Sequence, residues 1–232
     1  MRAYYITAEE EVIYGNQVRF VSGGALFKDI RDQAIYEYGT IGYQTWLFEN
    51  MRYLPDVSDP FERSIDSAHY YVYDYKEDSL QEARASDNYK TYGTLYNFPA
   101  ALSVCPAGWH LPSDEEWKEL EKFLGMSLED SDTSGDRVSG DVGHQLKSDT
   151  RWKDGGNGDN SSKFDALPGG RLMYVDWMGF NYLGEAAFFW SSTLDANVRP
   201  WYRILSNTSD GVSRVMNYSR DLAYSVRCVK NN

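Results

Sequence analysis

The segment 105–117, Cys-Pro-Ala-Gly-Trp-His-Leu-Pro-Ser-Asp-Glu-Glu-Trp, carries the clearest structural signal in the sequence. Ser113 suits the N-cap of a helix, and Glu116, three residues later, completes a capping box. Apolar residues recur at helical spacing on one face, namely Trp117, Leu120 and Leu124. Charged residues occupy the other face, namely Glu116, Lys118, Glu119, Glu121 and Lys122. With Gly125 placed to end it, the pattern predicts a helix over 113–124 that packs one face on a sheet.

Shorter patterns on both sides of this helix predict strands and one further helix. Alternating or β-branched runs predict strands at 35–42, 44–47, 201–205, 212–216 and 224–229. A capped run predicts a weaker helix over 78–85. The segment 127–160 is dense in Asp, Ser and Gly, which predicts a long ordered loop anchored by Val142, Leu146 and Trp152.

Charge and hydropathy exclude two classes of partner. The formal net charge is −12, and this charge repels phosphate backbones, so nucleic acid is not expected as a partner. No apolar run approaches the roughly 18 residues of a membrane helix, so membrane insertion is not expected. Abundant aromatic residues, 19 of them Tyr, indicate a folded chain.

The first residues differ in pattern from the rest. Residues 1–24 are interpreted as lead-in strands or the remnant of an upstream region, and residues 25–232 as the domain. The start lacks the basic end and apolar centre of a secretory signal, so we expect either a removed signal or another route of export. The lead-in is also a possible site of oligomer formation.

Few residues are suited to catalysis. The chain has three histidines, and His110, just before the helix cap, is predicted to be buried and bonded to the backbone. Signatures of serine hydrolases, zinc proteases and P-loop enzymes are missing, so we expect no enzyme and no catalytic residues. Cys105 and Cys228 are too far apart for a redox or zinc pair, and one long-range disulfide is the simplest interpretation.

The segment 130–141 approximates the opening of a calcium loop. The match then degrades, because Arg137 stands where such a loop has an aliphatic residue and Asp141 replaces the bidentate Glu. A solvated polar loop is the favoured interpretation, and we expect neither a metal site nor a cofactor.

The carboxyl-terminal segment has an unusual composition. Residues 195–227 contain no Lys, Glu or Gln and are rich in Asn, Ser, Asp, Arg and Tyr. These residue types build adaptable recognition surfaces. Exposed strands and turns also favour them, so a binding face and ordinary turn chemistry both remain open here.

Several strings taken together resemble a known family. They are Gly42-Tyr-Gln-Thr-Trp-Leu-Phe-Glu-Asn-Met-Arg-Tyr-Leu54, Tyr92-Gly-Thr-Leu-Tyr-Asn-Phe-Pro-Ala-Ala101, segment 105–117, Phe164-Asp-Ala-Leu-Pro-Gly-Gly-Arg171, Phe189-Trp-Ser-Ser-Thr193 and Ser225-Val-Arg-Cys-Val229. In this order they resemble the FISUMP family, the Fibrobacter succinogenes major paralogous domain, from about residue 25 to the end.

This resemblance implies an α+β protein with a C-type-lectin-like fold, distantly similar to the formylglycine-generating enzyme domain. We therefore expect small twisted antiparallel sheets with one or two helices and long ordered loops. Family members usually occur on surface or secreted proteins of gut and rumen bacteria. The resemblance also supports a Cys105–Cys228 disulfide. The closely spaced copper cysteines of formylglycine-generating enzymes and the calcium motifs of sugar-binding lectins have no counterpart here.

The segment after Thr193 further resembles the variable region of proteins diversified by retroelements. Adenine-directed mutagenesis of AAC-type codons yields Asn, Ser, Tyr, Asp and Arg but not Lys, Glu or Gln. Under this interpretation the scaffold consists of Tyr202, Arg203, Leu205, Val212 and 225–229. The expected ligand-binding set is Asn197, Arg199, Trp201, Ser206, Asn207, Ser209, Asp210, Ser213, Asn217, Tyr218, Ser219 and Asp221.

These features together predict a non-enzymatic recognition module. The expected partner is an extracellular protein or carbohydrate receptor, and the expected location is a bacterial cell surface or, alternatively, a phage tail. An oxidase of the formylglycine-generating type and a structural surface or pilus subunit are the alternatives.

Overall fold

The computed structural model describes residues 2–6, 12–17, 21–173, 179–216 and 219–231. Its strands are β1 (Arg2–Ile6), β2 (Val12–Gln17), β3 (Val21–Lys28), β4 (Ile35–Ile41), β5 (Gln44–Leu47), β6 (Tyr70–Tyr71), β7 (Leu95–Tyr96), β8 (Trp109–His110), β9 (Gly135–Arg137), β10 (Gly169–Met173), β11 (Gly179–Leu183), β12 (Ala186–Leu194), β13 (Pro200–Ser206), β14 (Val212–Met216) and β15 (Val229–Lys230).

The helices are short except for one. They are α1 (Leu80–Ala85), α2 (Asp87–Tyr92), α3 (Phe98–Ala101), α4 (Asp114–Leu124), α5 (Leu128–Asp132) and α6 (Val142–Leu146), with 3-10 turns at Ser139–Asp141 and Lys153–Gly155. The protein is therefore a mixed α+β fold built mostly of sheets, as the sequence predicts at this level.

Two sheets form the body of the domain. One has six strands in the order β11-β10-β12-β13-β14-β9, and the other has five in the order β3-β4-β5-β15-β8. β1 pairs with β2, and β6 with β7, in small sheets of their own. Between the strands that the structure describes, pairing is antiparallel except for β10 and β12, where Gly170 lies opposite Ala187 in a parallel arrangement. This parallel pair departs from the expected antiparallel sheets.

Strand β12 separates two hydrophobic cores. Its run Ala-Ala-Phe-Phe-Trp over 186–190 is buried on both faces, as a central strand covered on both sides requires. Phe188 and Trp190 pack into a core with Tyr96, Tyr202 and Tyr224. On the opposite face lies a second core, whose buried aromatic members are Trp46, Phe48, Trp117, Trp152, Phe164 and Phe189. The six-stranded sheet is thus held from both sides.

Helix α4 matches its sequence signature. The Ser113 hydroxyl accepts a hydrogen bond from the Glu116 backbone at 3.2 Å, and the Glu116 carboxylate accepts one from the Ser113 backbone at 2.7 Å. Gly125 caps the helix at a positive φ of 120°. Trp117 is buried against Phe189, with ring centroids 5.8 Å apart. The capping box and the packed face are both confirmed.

The polar face of α4 is the exception, because two of its acidic residues are buried. Glu121 Oε1 lies 2.7 Å from Arg137 Nη2 and 2.6 Å from Arg203 Nε. Asp114 contacts Arg203 and Arg214, at 2.7 and 2.6 Å. Glu121 was therefore wrongly placed on the solvent side, since Arg137 of β9 and Arg203 of β13 compensate its burial.

The last strand lies inside the five-stranded sheet. Val229 of β15 pairs with Trp46 of β5 on one side and with His110 of β8 on the other. The disulfide Cys105–Cys228 joins this strand to the segment that leads into β8 and α4. The expected disulfide is present.

The structure corrects three details of the predicted secondary structure. Segment 127–160 contains α5, β9 and α6 as well as loop, and Ser127 caps α5 by accepting from the Asp130 backbone at 3.0 Å. Within 224–229 only Val229 belongs to a strand, while 223–225 form isolated bridges. The number of helices exceeds the predicted one or two, because a single Ser or Asn cap suffices for a helix of one or two turns.

In the described part of the chain no helix is long and apolar enough to cross a membrane.

Candidate functional site

A groove of about 400 Å³ opens on the six-stranded sheet, on the face opposite α4. Its walls come from β10, β11, β12, β13 and the turn after β13. The lining residues are Arg171, Tyr182, Glu185, Ala186, Phe188, Ile204, Ser206, Asn207 and Thr208. The volume falls within the range of small-molecule sites in proteins.

The alternation of side chains along β12 and β13 determines which residues form the floor of the groove. Phe188 pairs with Ile204, and Ala186 pairs with Ser206, so these four residues share one face of the sheet. Further along that face, Trp190 and Tyr202 are covered by the main core. The groove is therefore the uncovered end of a face that is otherwise packed.

An arginine and two aromatic rings form one wall. Arg171 Cζ lies 5.0 Å from the centroid of the Tyr182 ring and 4.6 Å from that of Phe188. Its Nε donates a hydrogen bond to Asn181 Oδ1 at 3.1 Å, across the β10–β11 pair. The Tyr182 side chain is exposed, whereas Phe188 is buried. Stacking and this hydrogen bond together orient the guanidinium plane.

Beside the groove, on the covered part of the same face, Tyr202 is held as a neutral phenol. Burial raises the pKa of Tyr202, while the nearby Arg171 charge and a hydrogen bond with Tyr224 oppose the shift without cancelling it. At neutral pH this hydroxyl can therefore give or accept a hydrogen bond but does not act as a base.

The opposite rim is the turn that follows β13, and a neighbouring loop holds it. Asn207 Nδ2 lies 3.3 Å from Asp154 Oδ2. Gly156 packs so tightly below Asn207 that a Cβ at Gly156 would come within 2.4 Å of the Asn207 Cα. Lys153 Nζ contacts Glu185 Oε1 at 2.8 Å beside the groove. The rim therefore rests on segment 153–156.

Lys147 fixes the same turn from below. Its Nζ donates to the Ser206 and Ser209 carbonyls at 3.2 and 2.9 Å and contacts Asp210 Oδ1 at 3.2 Å. The side chain is 1% exposed, so this ammonium is satisfied almost wholly by the turn. The turn is thereby held in one conformation.

Part of the predicted ligand-binding set gathers at this rim. Ser206 and Asn207 line the groove, and Ser209 and Asp210 continue the same turn. Ser213 lies opposite Ile204 in β14, and its hydroxyl donates to Asp136. These five residues occupy one region of the molecule.

Other members of the set lie elsewhere. Asn197 is exposed in the β12–β13 turn, where Arg199 forms an ion pair with Asp195. Trp201 faces the α4 side of the sheet, and Arg214 Cζ stacks 3.8 Å from its ring centroid. Since Arg214 is bound by Asp114, Trp201 belongs to the opposite face from the groove.

The remaining four predicted residues follow β14. Asp221 is 4% exposed and pairs with Arg63 at 2.5 Å, and Ser219 donates to the Asp221 carboxylate. So enclosed a carboxylate has little surface for an external ligand. Asn217 and Tyr218 lie outside the described residues.

The sequence reasoning missed seven of the nine residues that line the groove, among them the three that form its aromatic wall, Arg171, Tyr182 and Phe188. Arg171 stands at the end of a family string, and Phe188 opens the Phe-Phe-Trp run, so both were visible as scaffold signals. Their meeting depends on β10 lying between β11 and β12, which no local pattern encodes. The predicted scaffold residues Tyr202, Leu205 and Val212 are buried.

His110 and the Asp-rich segment differ from their simplest interpretations. His110 is half-exposed and its ring nitrogens contact Glu116 Oε1 at 2.8 Å and Asn231 Oδ1 at 2.6 Å. The prediction of a buried, backbone-bonded histidine is therefore wrong, because the capping-box carboxylate reaches the ring.

Asp132, from the candidate calcium segment, binds Lys118 at 2.7 Å. Across the described ranges, no group of three or more His, Cys, Asp or Glu is arranged to hold a metal ion.

Comparison with known proteins places the chain in one family. Residues 40–230 match the model of the Fibrobacter succinogenes major domain. No curated protein and no solved structure is similar enough to the chain to count as a match. The matched range contains α4, the disulfide, both large sheets except β3 and most of β4, and the whole groove. The chain therefore belongs to the Fibrobacter succinogenes major domain family.

Proposed function

We propose that the protein is a non-enzymatic recognition module that binds an extracellular carbohydrate or protein receptor through the groove on its six-stranded sheet. The observation that carries this proposal is the open, aromatic-walled groove of about 400 Å³, rimmed by Ser206 and Asn207. Ligand sites are concave, with apolar walls and a few placed polar groups, and this groove has both.

The rigidity of the rim supports the same function. Lys147 and Gly156 hold the turn that carries Asn207, and Arg171 is stacked in place. A site whose groups are already oriented loses less entropy when a ligand binds.

Oxidase chemistry of the formylglycine-generating type is less well supported. That chemistry holds copper with cysteine thiolates, and both cysteines of this chain are joined in the disulfide. A structural surface subunit is a further alternative, and it would place neighbouring copies over the groove.

We also propose a C-type-lectin-like fold with retroelement-diversified residues in 195–227. The disulfide beside the closing strand and the missing Lys, Glu and Gln support these two ideas respectively. Display on a cell surface or a phage tail fits such a module, with residues 1–24 as its link to an oligomer or an upstream region.

Diversification has a direct test in the coding DNA. We expect a near-repeat of the codons for 195–227 that differs only at adenines, beside a reverse transcriptase gene. A genomic neighbourhood with neither feature contradicts diversification and leaves the groove proposal intact.

Recognition through the groove is tested with fluorescent protein on an array of printed glycans and purified extracellular proteins. We expect Tyr182→Ala and Asn207→Ala each to weaken the strongest array signal by about tenfold, since each removes a contact worth 1 to 2 kcal/mol. Tyr43→Ala is the matched control, because Tyr43 is 84% exposed in the β4–β5 turn and lies outside the groove. Equal binding by all variants would show that the groove is not the site.

A further inference from the structure

The charge inside the groove is positive where the ligand would lie. Among the residues that the structure describes, no carboxylate forms an ion pair with Arg171, whose Nε is bonded to the neutral Asn181. Glu185, the acidic residue of the lining, is engaged by Lys153 at 2.8 Å. Arg171 lines the groove, and a guanidinium matches a carboxylate with two parallel hydrogen bonds.

The other walls are suited to a sugar ring. The exposed face of Tyr182 offers a stacking surface, and Ser206, Asn207 and Thr208 offer hydroxyl and amide groups on the facing rim. Flat aromatic surface beside short polar side chains suits a ligand with one apolar face and many hydroxyls. A cavity of about 400 Å³ has room for one or two sugar rings.

The net charge of the whole chain limits which kinds of acidic ligand can bind in the groove. With a net charge of −12, the protein repels polyanions at long range, so an acidic polymer would approach slowly. A single carboxylate suffers little from this repulsion, and at contact distance the desolvated guanidinium dominates. The charges therefore favour a ligand that carries one acidic group near its end.

We propose that the groove binds a saccharide ending in an acidic sugar, with the sugar carboxylate on Arg171 and the ring on Tyr182. This inference rests on the proposed function and names the ligand class of that same site. Asn207 and Ser206 take the ring hydroxyls from the opposite rim.

The test compares glucuronic acid with its methyl ester and with glucose, titrated against the whole chain by protein-observed NMR. We expect the acid to bind at least about tenfold more tightly than either neutral sugar, since a charge-assisted hydrogen-bond pair is stronger than the neutral contacts that replace it. Arg171→Gln should abolish the preference for the acid, and Arg171→Lys should retain part of it. Arg151→Gln, at an exposed arginine outside the groove lining, should leave it unchanged.

The outcomes separate this inference from the proposed function. Equal affinity for acid and ester, or tighter binding of a short glutamate peptide than of any sugar, overturns the acidic-sugar assignment. No binding of the three sugars up to about 20 mM overturns it as well. In each case, loss of an array ligand in Tyr182→Ala keeps the groove as the site. If an array ligand and glucuronic acid bind Tyr182→Ala and Arg171→Gln as they bind the unmodified chain, both proposals fail.

Discussion

At the scale of single residues, Lys147 has a larger role than its position in a polar segment suggests. Its Nζ contacts two carbonyls and one carboxylate of the turn after β13, and its side chain is 1% exposed. The turn lacks the regular hydrogen bonds of a helix or sheet. The buried ammonium, with all its donors engaged, supplies hydrogen bonds in their place. This side chain thus supports the groove rim together with segment 153–156.

We expect Lys147→Met to lower the free energy of unfolding by about 1 to 3 kcal/mol, since it strands the turn carbonyls without a donor. Urea denaturation measures the change. Lys122→Met is the matched control, because Lys122 is exposed on α4, and a surface substitution of this kind shifts stability by about 0.5 kcal/mol or less. A similar loss in both variants would contradict the anchoring role.

The same variant links the residue to the site. Amide hydrogen exchange in 206–211 should quicken in Lys147→Met while exchange in β12 stays slow, because the hydrogen bonds of this ammonium go to the turn and not to β12. Unchanged exchange in the turn would mean that Gly156 packing alone holds it.

At the scale of elements, α4 and the strands β9, β13 and β14 share one buried ionic network. Asp114 and Glu121 neutralise arginines from three strands, and the contacts are 2.6 to 2.7 Å. Removing one charged side chain leaves its partners buried and unpaired. This destabilises the fold by more than the intact ion pair stabilises it.

Glu121→Gln should therefore lower the free energy of unfolding by roughly 3 to 5 kcal/mol. Glu129→Gln makes the same chemical change on the exposed face of α5 and should have little effect. Chemical denaturation of the two variants beside the unmodified chain decides the matter. A small loss in Glu121→Gln would show that the arginines find other partners.

The network also makes stability depend on pH. Burial acts to raise the pKa of Asp114, but hydrogen bonds and charge from Arg214 and Arg203 outweigh it, and the net pKa lies below the ordinary 3.8. A depressed pKa contributes stability that is present above 3.8 and is lost as pH falls through the folded value.

We expect the stability difference between the unmodified chain and Asp114→Asn to stay constant from about pH 7 to pH 5 and to shrink toward pH 3. Urea titrations at each pH measure the difference. Asp66→Asn, at an exposed aspartate, serves as control and should show no comparable trend. A difference that grows in acid would contradict the assigned sign.

Local patterns predict local structure here and fail where distant segments meet. The capping box of Ser113 and Glu116 involves neighbours in sequence, so the helix could be predicted with its ends. Glu121 was misplaced because its partner Arg203 lies 82 residues away on a strand. The groove was missed for the same reason, while Ser206 and Asn207 were predicted as ligand-binding residues from composition and the resemblance to variable regions.

At the scale of the whole molecule, the disulfide closes a long covalent loop of the chain. Cys105 and Cys228 are 123 residues apart, so the bond restricts most of the domain in its unfolded state. By the chain-entropy model such a closure stabilises the fold by about 4 to 5 kcal/mol.

Reduction should therefore lower the urea midpoint, by an amount that corresponds to about 4 to 5 kcal/mol. The double variant Cys105→Ala, Cys228→Ala should unfold at a similarly low midpoint, and reductant should not move it further. A midpoint that is unaffected by reductant in the unmodified chain would show that the unfolded state is already restricted by other means.

The position of β15 between β5 and β8 has a consequence for synthesis on the ribosome. β5 and β8 are synthesised before β15, the strand that pairs with both of them. Until Val229 leaves the ribosome, each of these two strands has an unpaired edge. A nascent chain stalled before that point exposes hydrogen-bonding edges to other nascent chains, so premature termination should yield aggregates rather than a smaller folded product.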